Sequence, residues 1–155
     1  MQAKNKQRGV HVRGGRASAT KEWARRTYCE RGDKTISYHL GYDPLLALCG
    51  EVVLREDDGG YQGDTFAVVR ADDRVGFVSI SWGSCSGCDA LYACRTIDDV
   101  LALANQILDS VEWFESGPEM VRWLLDADER VEPWRDSESM RRVREAAEEM
   151  WPWVP

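Results

Sequence analysis

Beyond Lys34 the chain has no lysine, and over its whole length it has only two histidines, His11 and His39. Catalysis by a Cys–His pair therefore has one candidate imidazole outside the basic first stretch, His39, and a lone His on a strand is more often structural. No run approaches the roughly 18 consecutive apolar residues of a membrane span. The basic first residues are not followed by an apolar stretch of about 7–15 residues, so no secretory leader is read and a cytoplasmic location is expected. In that compartment the five cysteines are expected to be reduced or metal-bound, which argues against a disulfide framework.

A length of 155 residues with 43% apolar and 30% charged content fits one soluble domain able to bury its own core. The net charge of −7 hides a split. Residues 1–35 carry ten Lys or Arg against three acids, net +7, while the remainder carries ten Arg against 24 acids, net −14. Such an acidic body excludes nucleic-acid binding by the folded part, because phosphate neutralisation needs clustered cations. It suits a basic protein partner, although plain solubility explains it as well. Seven tryptophans are many for this length, and Trp serves both cores and binding surfaces.

Residues 1–16 read as a flexible basic arm and residues 17–155 as a single domain. A short helix is expected from Ala19 to about Glu30, and the alternation of Ile36, Tyr38 and Leu40 predicts a strand over Lys34–Leu40. Asp43-Pro44 starts a second short helix that Gly50 ends. Glu51–Arg55 is a further strand. Tyr61 to Gly83 reads as a β-hairpin turning at Asp72-Asp73, with Val78, Ile80 and Trp82 on one face of its second arm. After Cys88 the pattern becomes helical. Thr96…Asp99 and Ser116…Glu119 form capping boxes. One helix is expected over residues 97–114, a shorter one carries Val121 and Leu124, and a last one runs from about Ser137 to Met150. Strands first and helices afterwards give α+β: a small antiparallel sheet of three to four strands within residues 34–83, packed against C-terminal helices. The stripe of the 97–114 helix is expected on the sheet face of Val78 and Ile80.

Gly83-Ser84-Cys85-Ser86-Gly87-Cys88-Asp89 is the one local segment whose composition asks for a chemical explanation. Its plainest reading is a tight turn of small residues. Cys85-x-x-Cys88 has the spacing of half a zinc site, but a strong zinc signal needs two such pairs, so no cofactor is expected and zinc stands as an alternative. A thiolate at the start of a following helix fits redox chemistry locally. A thioredoxin-like fold does not fit, because only helices are expected after Arg95. A phosphatase loop fails as well, since Arg95 lies one residue too far from Cys88. Binding without chemistry is the remaining reading, with the backbone N–H groups of the loop unobstructed.

Tyr61-x-Gly63-Asp64 together with Gly83-Ser-Cys-Ser-Gly-Cys-Asp89 resembles an uncharacterised family of small bacteriophage and bacterial proteins. The likeness covers roughly residues 60–92. It implies origin rather than mechanism, and it implies that Asp64 and the Cys loop meet at one end of the hairpin.

The leading expectation is a non-enzymatic phage or mobile-element accessory protein acting in the host cytosol. It would bind and inhibit or redirect a host protein, such as a defence protein, through an acidic, Trp-bearing surface that includes Trp134 and Trp153. A second class is a pocket protein in which Tyr61, Asp64, Ser84, Ser86 and Asp89 hold a small polar ligand, a nucleotide-like signal for instance. A third is a zinc- or thiol-dependent enzyme using Cys85 and Cys88.

Overall fold

A four-stranded antiparallel sheet lies between two layers of helices, and each layer covers one sheet face. This α+β arrangement comes from a computed structural model that describes residues 10–13, 16–29, 35–126 and 137–152. The strands are β3 (Glu51–Asp57), β4 (Gln62–Ala71), β5 (Arg74–Gly83) and β6 (Glu112–Phe114), in the order β3-β4-β5-β6. A separate pair, β1 (Val10–Arg13) and β2 (Arg16–Ala19), precedes them. The helices are α1 (Lys21–Tyr28), α2 (Asp43–Cys49), α3 (Ala90–Ala93), α4 (Ile97–Ser110), α5 (Gly117–Asp126) and α6 (Glu138–Met150). Among the described residues, no helix is long and apolar enough to cross a membrane.

The β4–β5 hairpin is the frame, paired residue for residue from Gln62–Gly83 to Ala71–Arg74. Its two-residue turn needs a positive φ, and Asp72 supplies it at 54°, a conformation Asp tolerates better than most residues. Alternation then sorts the arms. Ala67, Val69, Val78 and Ile80 point to one face, where α1, α2 and α4 contribute Ala24, Tyr28, Leu45, Leu46, Val100, Ala104 and Ile107. The stripe of α4 thus packs on the face of Val78 and Ile80, as its spacing predicts.

Phe66, Val68, Val75 and Phe77 point to the opposite face. There α5 and α6 bring Met120, Val121, Leu124, Met140, Val143 and Ala147. The Thr96…Asp99 capping box forms in full, and the Ser116…Glu119 one forms only in its Ser116 half, because Glu119 reaches past the cap residue to Glu115 N. The Asp99 carboxylate accepts from Thr96 N at 2.8 Å while Asp99 N donates to Thr96 Oγ1 at 3.2 Å. Glu119 N donates to Ser116 Oγ at 3.3 Å, and Glu119 in turn accepts from Glu115 N.

Two elements differ from expectation. Thr35–Leu40 is no strand of the sheet. Ile36 makes one isolated bridge to Cys29, and the chain then turns at Tyr38–Gly41, where Gly41 takes φ 54°. The fourth strand is instead Glu112–Phe114, so the long helix ends at Ser110, short of Phe114. Val111 and Phe114 cannot share one helix stripe, because Val111 fills the first cluster and Phe114 the second. Pairing with β5 lets the chain cross between the faces with its backbone bonded. Gly76 makes room for this, since a Cβ there would stand 2.6 Å from Val111 and 2.9 Å from Trp113. At α2, Tyr42 rather than Asp43 holds the cap position, and Asp43 lies in the first turn.

Candidate functional site

At the open end of the hairpin, the loop after β5, the loop between β3 and β4, and the start of α2 surround a cleft of about 630 Å³. That volume lies in the usual range of small-ligand pockets. Two rows of side chains define it. The aromatic row is Tyr38, Tyr42, Tyr61, Tyr92 and Trp82. Among the described residues, the charged row is Asp43, Asp57, Asp58 and Asp89 with a single cation, Arg55.

Local rules place most of these groups. The turn at Gly41 carries Tyr42 beneath the Cys loop, where its hydroxyl donates to Asp89 Oδ1 at 2.9 Å and accepts from Leu91 N at 3.1 Å. Burial pushes the Tyr42 hydroxyl far above the usual tyrosine range, and the bond to the Asp89 carboxylate acts in the same direction. Tyr38 donates to the Cys94 carbonyl at 2.6 Å and meets Tyr92 edge to face at 5.2 Å. Arg55 spans two carboxylates, donating to Asp43 and to both oxygens of Asp57. Asp58 reaches back to α6. It accepts from Ser137 Oγ at 3.1 Å and from the buried Ser139 Oγ at 2.5 Å, and its other oxygen accepts from Asp64 N at 3.0 Å. The hydroxyl of Ser139 is the main reason the Asp58 carboxyl titrates below its ordinary value.

Asp89 is the buried centre of the Cys loop, at 6% exposure. Its Oδ1 accepts from Leu91 N at 2.9 Å and Tyr92 N at 3.1 Å, which caps α3, and its Oδ2 accepts from Gly83 N at 3.1 Å. A buried carboxylate needs this many donors, and the loop is wrapped to provide them.

The residues expected to form a site fall into four groups. Tyr61, Ser84 and Asp89 line the cleft, with Tyr61 86% exposed at its rim. Asp64 stands behind the rim, opposite Ser81 in the hairpin register, and accepts from the Ser81 hydroxyl. Asp64 and the Cys loop therefore lie at the same end of the hairpin. Cys85, Ser86 and Cys88 are exposed in the turn just outside the cleft. Trp134 and Trp153 lie outside the described residues. Of the other tryptophans on the acidic helical surface, Trp123 and Trp151 are half-buried and packed against the second cluster.

Cys85 and Cys88 precede α3 rather than start it, and α3 has only four residues. The Cys85 thiol is nonetheless held below its usual range, first by the Cys88 thiol and then by the Gly87 N–H. Among the described residues no group of three or more His, Cys, Asp or Glu is arranged to hold a metal ion.

Sequence reasoning missed Tyr38, Tyr42, Asp43, Arg55, Asp57, Asp58, Trp82 and Tyr92 as cleft residues. Asp57-Asp58-Gly59-Gly60 was legible only as a turn, and nothing in its composition says that it faces the Cys loop. No family model, curated protein or solved structure matches this chain, so the resemblance over residues 60–92 rests on its motifs alone.

Proposed function

We propose that the protein is a binding domain whose cleft takes a small organic cation, an amine or guanidinium on a compact carbon frame. One observation carries this reading: among the described residues, the cleft combines five aromatic rings with four aspartates and a single arginine. Aromatic faces and carboxylates both attract cations, and each acts more strongly in a partly desolvated recess. Arg55 supports the reading from within, because its guanidinium already sits between Asp43 and Asp57. Phosphate groups are disfavoured by the same carboxylates, which turns the idea of a nucleotide-like ligand toward an uncharged or cationic one.

Calorimetric titration with agmatine, choline and AMP tests the proposal. Agmatine and choline are expected to bind, and AMP is expected to give no heat. Tyr61→Ala and Asp43→Asn, both at exposed positions, should weaken agmatine binding about two- to fivefold each, the scale of one lost cation–π or charge contact of about 0.5–1 kcal/mol at an exposed site. Saturable AMP binding with agmatine silent would overturn it.

A further inference from the structure

The five cysteines divide sharply. Cys49 is buried, its thiol donates to the Leu45 carbonyl, and burial pushes it up to about 12. Cys94 is buried, donates to the Ala90 carbonyl, and is likewise raised by burial. Cys29 is half-buried beside the first core cluster. Only Cys85 and Cys88 are exposed, and they face each other, Sγ to Sγ, at 2.6 Å.

The backbone of their turn is already closed. Cys88 N donates to the Cys85 carbonyl at 3.0 Å, and Cys85 N donates to Cys88 Sγ at 3.2 Å. A turn with that bond holds its end Cα atoms within about 7 Å, the span a disulfide bridges. Gly83 lets Cys88 fold over the strand end, since a Cβ there would stand 2.5 Å from Cys88 Sγ. Ser84, Ser86 and Gly87 are small and exposed, leaving both sulfurs open to an incoming reagent.

We propose that Cys85 and Cys88 are a reversible dithiol–disulfide site that exchanges with small disulfides of the glutathione class. Cys88, whose sulfur folds against Gly83 and accepts from Cys85 N, resolves, and Cys85 attacks. The Cys88 thiol and the Gly87 N–H lower the Cys85 thiol, while Cys88 is raised, mainly by the same contact with Cys85. The nearby charge of Asp89 opposes the lowering at Cys85 only in part.

In the first step the Cys85 thiolate attacks one sulfur of R–S–S–R, forming a Cys85–S–S–R mixed disulfide and releasing R–S⁻. Cys88 then gives up its proton, and its sulfur attacks Cys85 Sγ, which breaks the mixed disulfide and releases the second R–S⁻. Two protein thiols are oxidised to one disulfide and R–S–S–R is reduced to two R–SH. The two protons lost by the cysteines end on the two leaving thiolates.

The full chain is equilibrated with graded ratios of oxidised and reduced glutathione at pH 7, quenched with acid and N-ethylmaleimide, unfolded, and mapped by mass. Expected is a species lacking two hydrogens in the peptide holding Cys85 and Cys88, lost again on adding dithiothreitol, with Cys29, Cys49 and Cys94 fully alkylated. Cys88→Ser should accumulate the glutathione adduct on Cys85, and Cys85→Ser should form several-fold less adduct on Cys88. Circular dichroism on both variants checks that they fold, as exposed positions should. Two results would overturn the proposal: a pair still reduced in pure oxidised glutathione, or an adduct that persists in the unmutated chain as it does in Cys88→Ser.

Discussion

The two faces of the sheet are built from different materials. On the α5–α6 side the core is a carbon-on-carbon cluster, with Ser139 to Asp58 and Arg142 to Glu56 as polar ties beside it. Phe66 stacks on Phe77 at 6.4 Å, and Trp123 tilts onto Phe77 at 5.6 Å and onto Phe114 at 5.3 Å. On the α1–α2–α4 side, three tyrosines take part, and each sends its hydroxyl to a polar group. Tyr28 donates to the Gly41 carbonyl at 2.8 Å, Tyr38 to the Cys94 carbonyl and Tyr42 to Asp89. A tyrosine packs its ring while its oxygen must find a partner, so this face fixes loops as well as filling space. The cleft opens where those loops converge. Both faces bury an apolar core, and the α1–α2–α4 face also fixes the loops that surround the cleft.

Phe66→Ala gives the largest expected effect and tests the dry face. The side chain is fully buried between strand and helices, so truncation should cost about 3–5 kcal/mol in urea unfolding. Agmatine affinity of the fraction still folded should be unchanged. A loss of affinity in that fraction would mean that the two faces are coupled. Tyr42→Phe tests the wet face. It keeps the ring but removes one donor from the buried Asp89 carboxylate and one of the two acceptors of Leu91 N, which keeps its bond to Asp89 Oδ1. A cost of about 1–3 kcal/mol follows from an undersatisfied buried group. Here binding should weaken beyond what stability explains, because Asp89 anchors Gly83 and α3 around the cleft. A Tyr42→Phe chain that binds as well as the unmutated one would break the comparison.

The packing of α4 on the sheet was largely legible in the sequence, and the dry face and the cleft were not. Hairpin, capping boxes and helix stripes are local patterns, so Val78 and Ile80 against α4 could be read from spacing. The second face was hidden in plain alternation. An antiparallel strand often leaves one side to water, yet Thr65 to Val69 form an unbroken buried run that only helices on both sides explain. The fourth strand was hidden by three residues, Glu112–Phe114, too few to show a period of two. Of the site, Tyr61, Ser84 and Asp89 were found because Gly, Ser and Cys punctuate the loop around them. Arg55, Asp57 and Asp58 belong to a different stretch of chain, and their meeting with that loop is set by the β3–β4 register, which no local pattern reports.

Asp58 joins the two faces, and its acid titration sharpens the boundary between them by the smallest expected effect. It lines the cleft but accepts from Ser137 and Ser139 of the α6 start. Its folded carboxyl titrates below the ordinary value near 3.8, so the unfolded chain takes up this proton first as pH falls. The linked stability is therefore complete above about pH 4 and is lost as pH drops through the lower folded value. Asp58→Asn should make unfolding midpoints decline less steeply below pH 4, read by urea titrations at stepped pH. Its uncharged amide should also release α6 without loosening α4, so hydrogen exchange should rise in Glu138–Met150 and stay unchanged in Ile97–Ser110. Equal acid slopes in both chains would remove Asp58 from the tie between α6 and the cleft, and leave the two faces joined by the sheet alone.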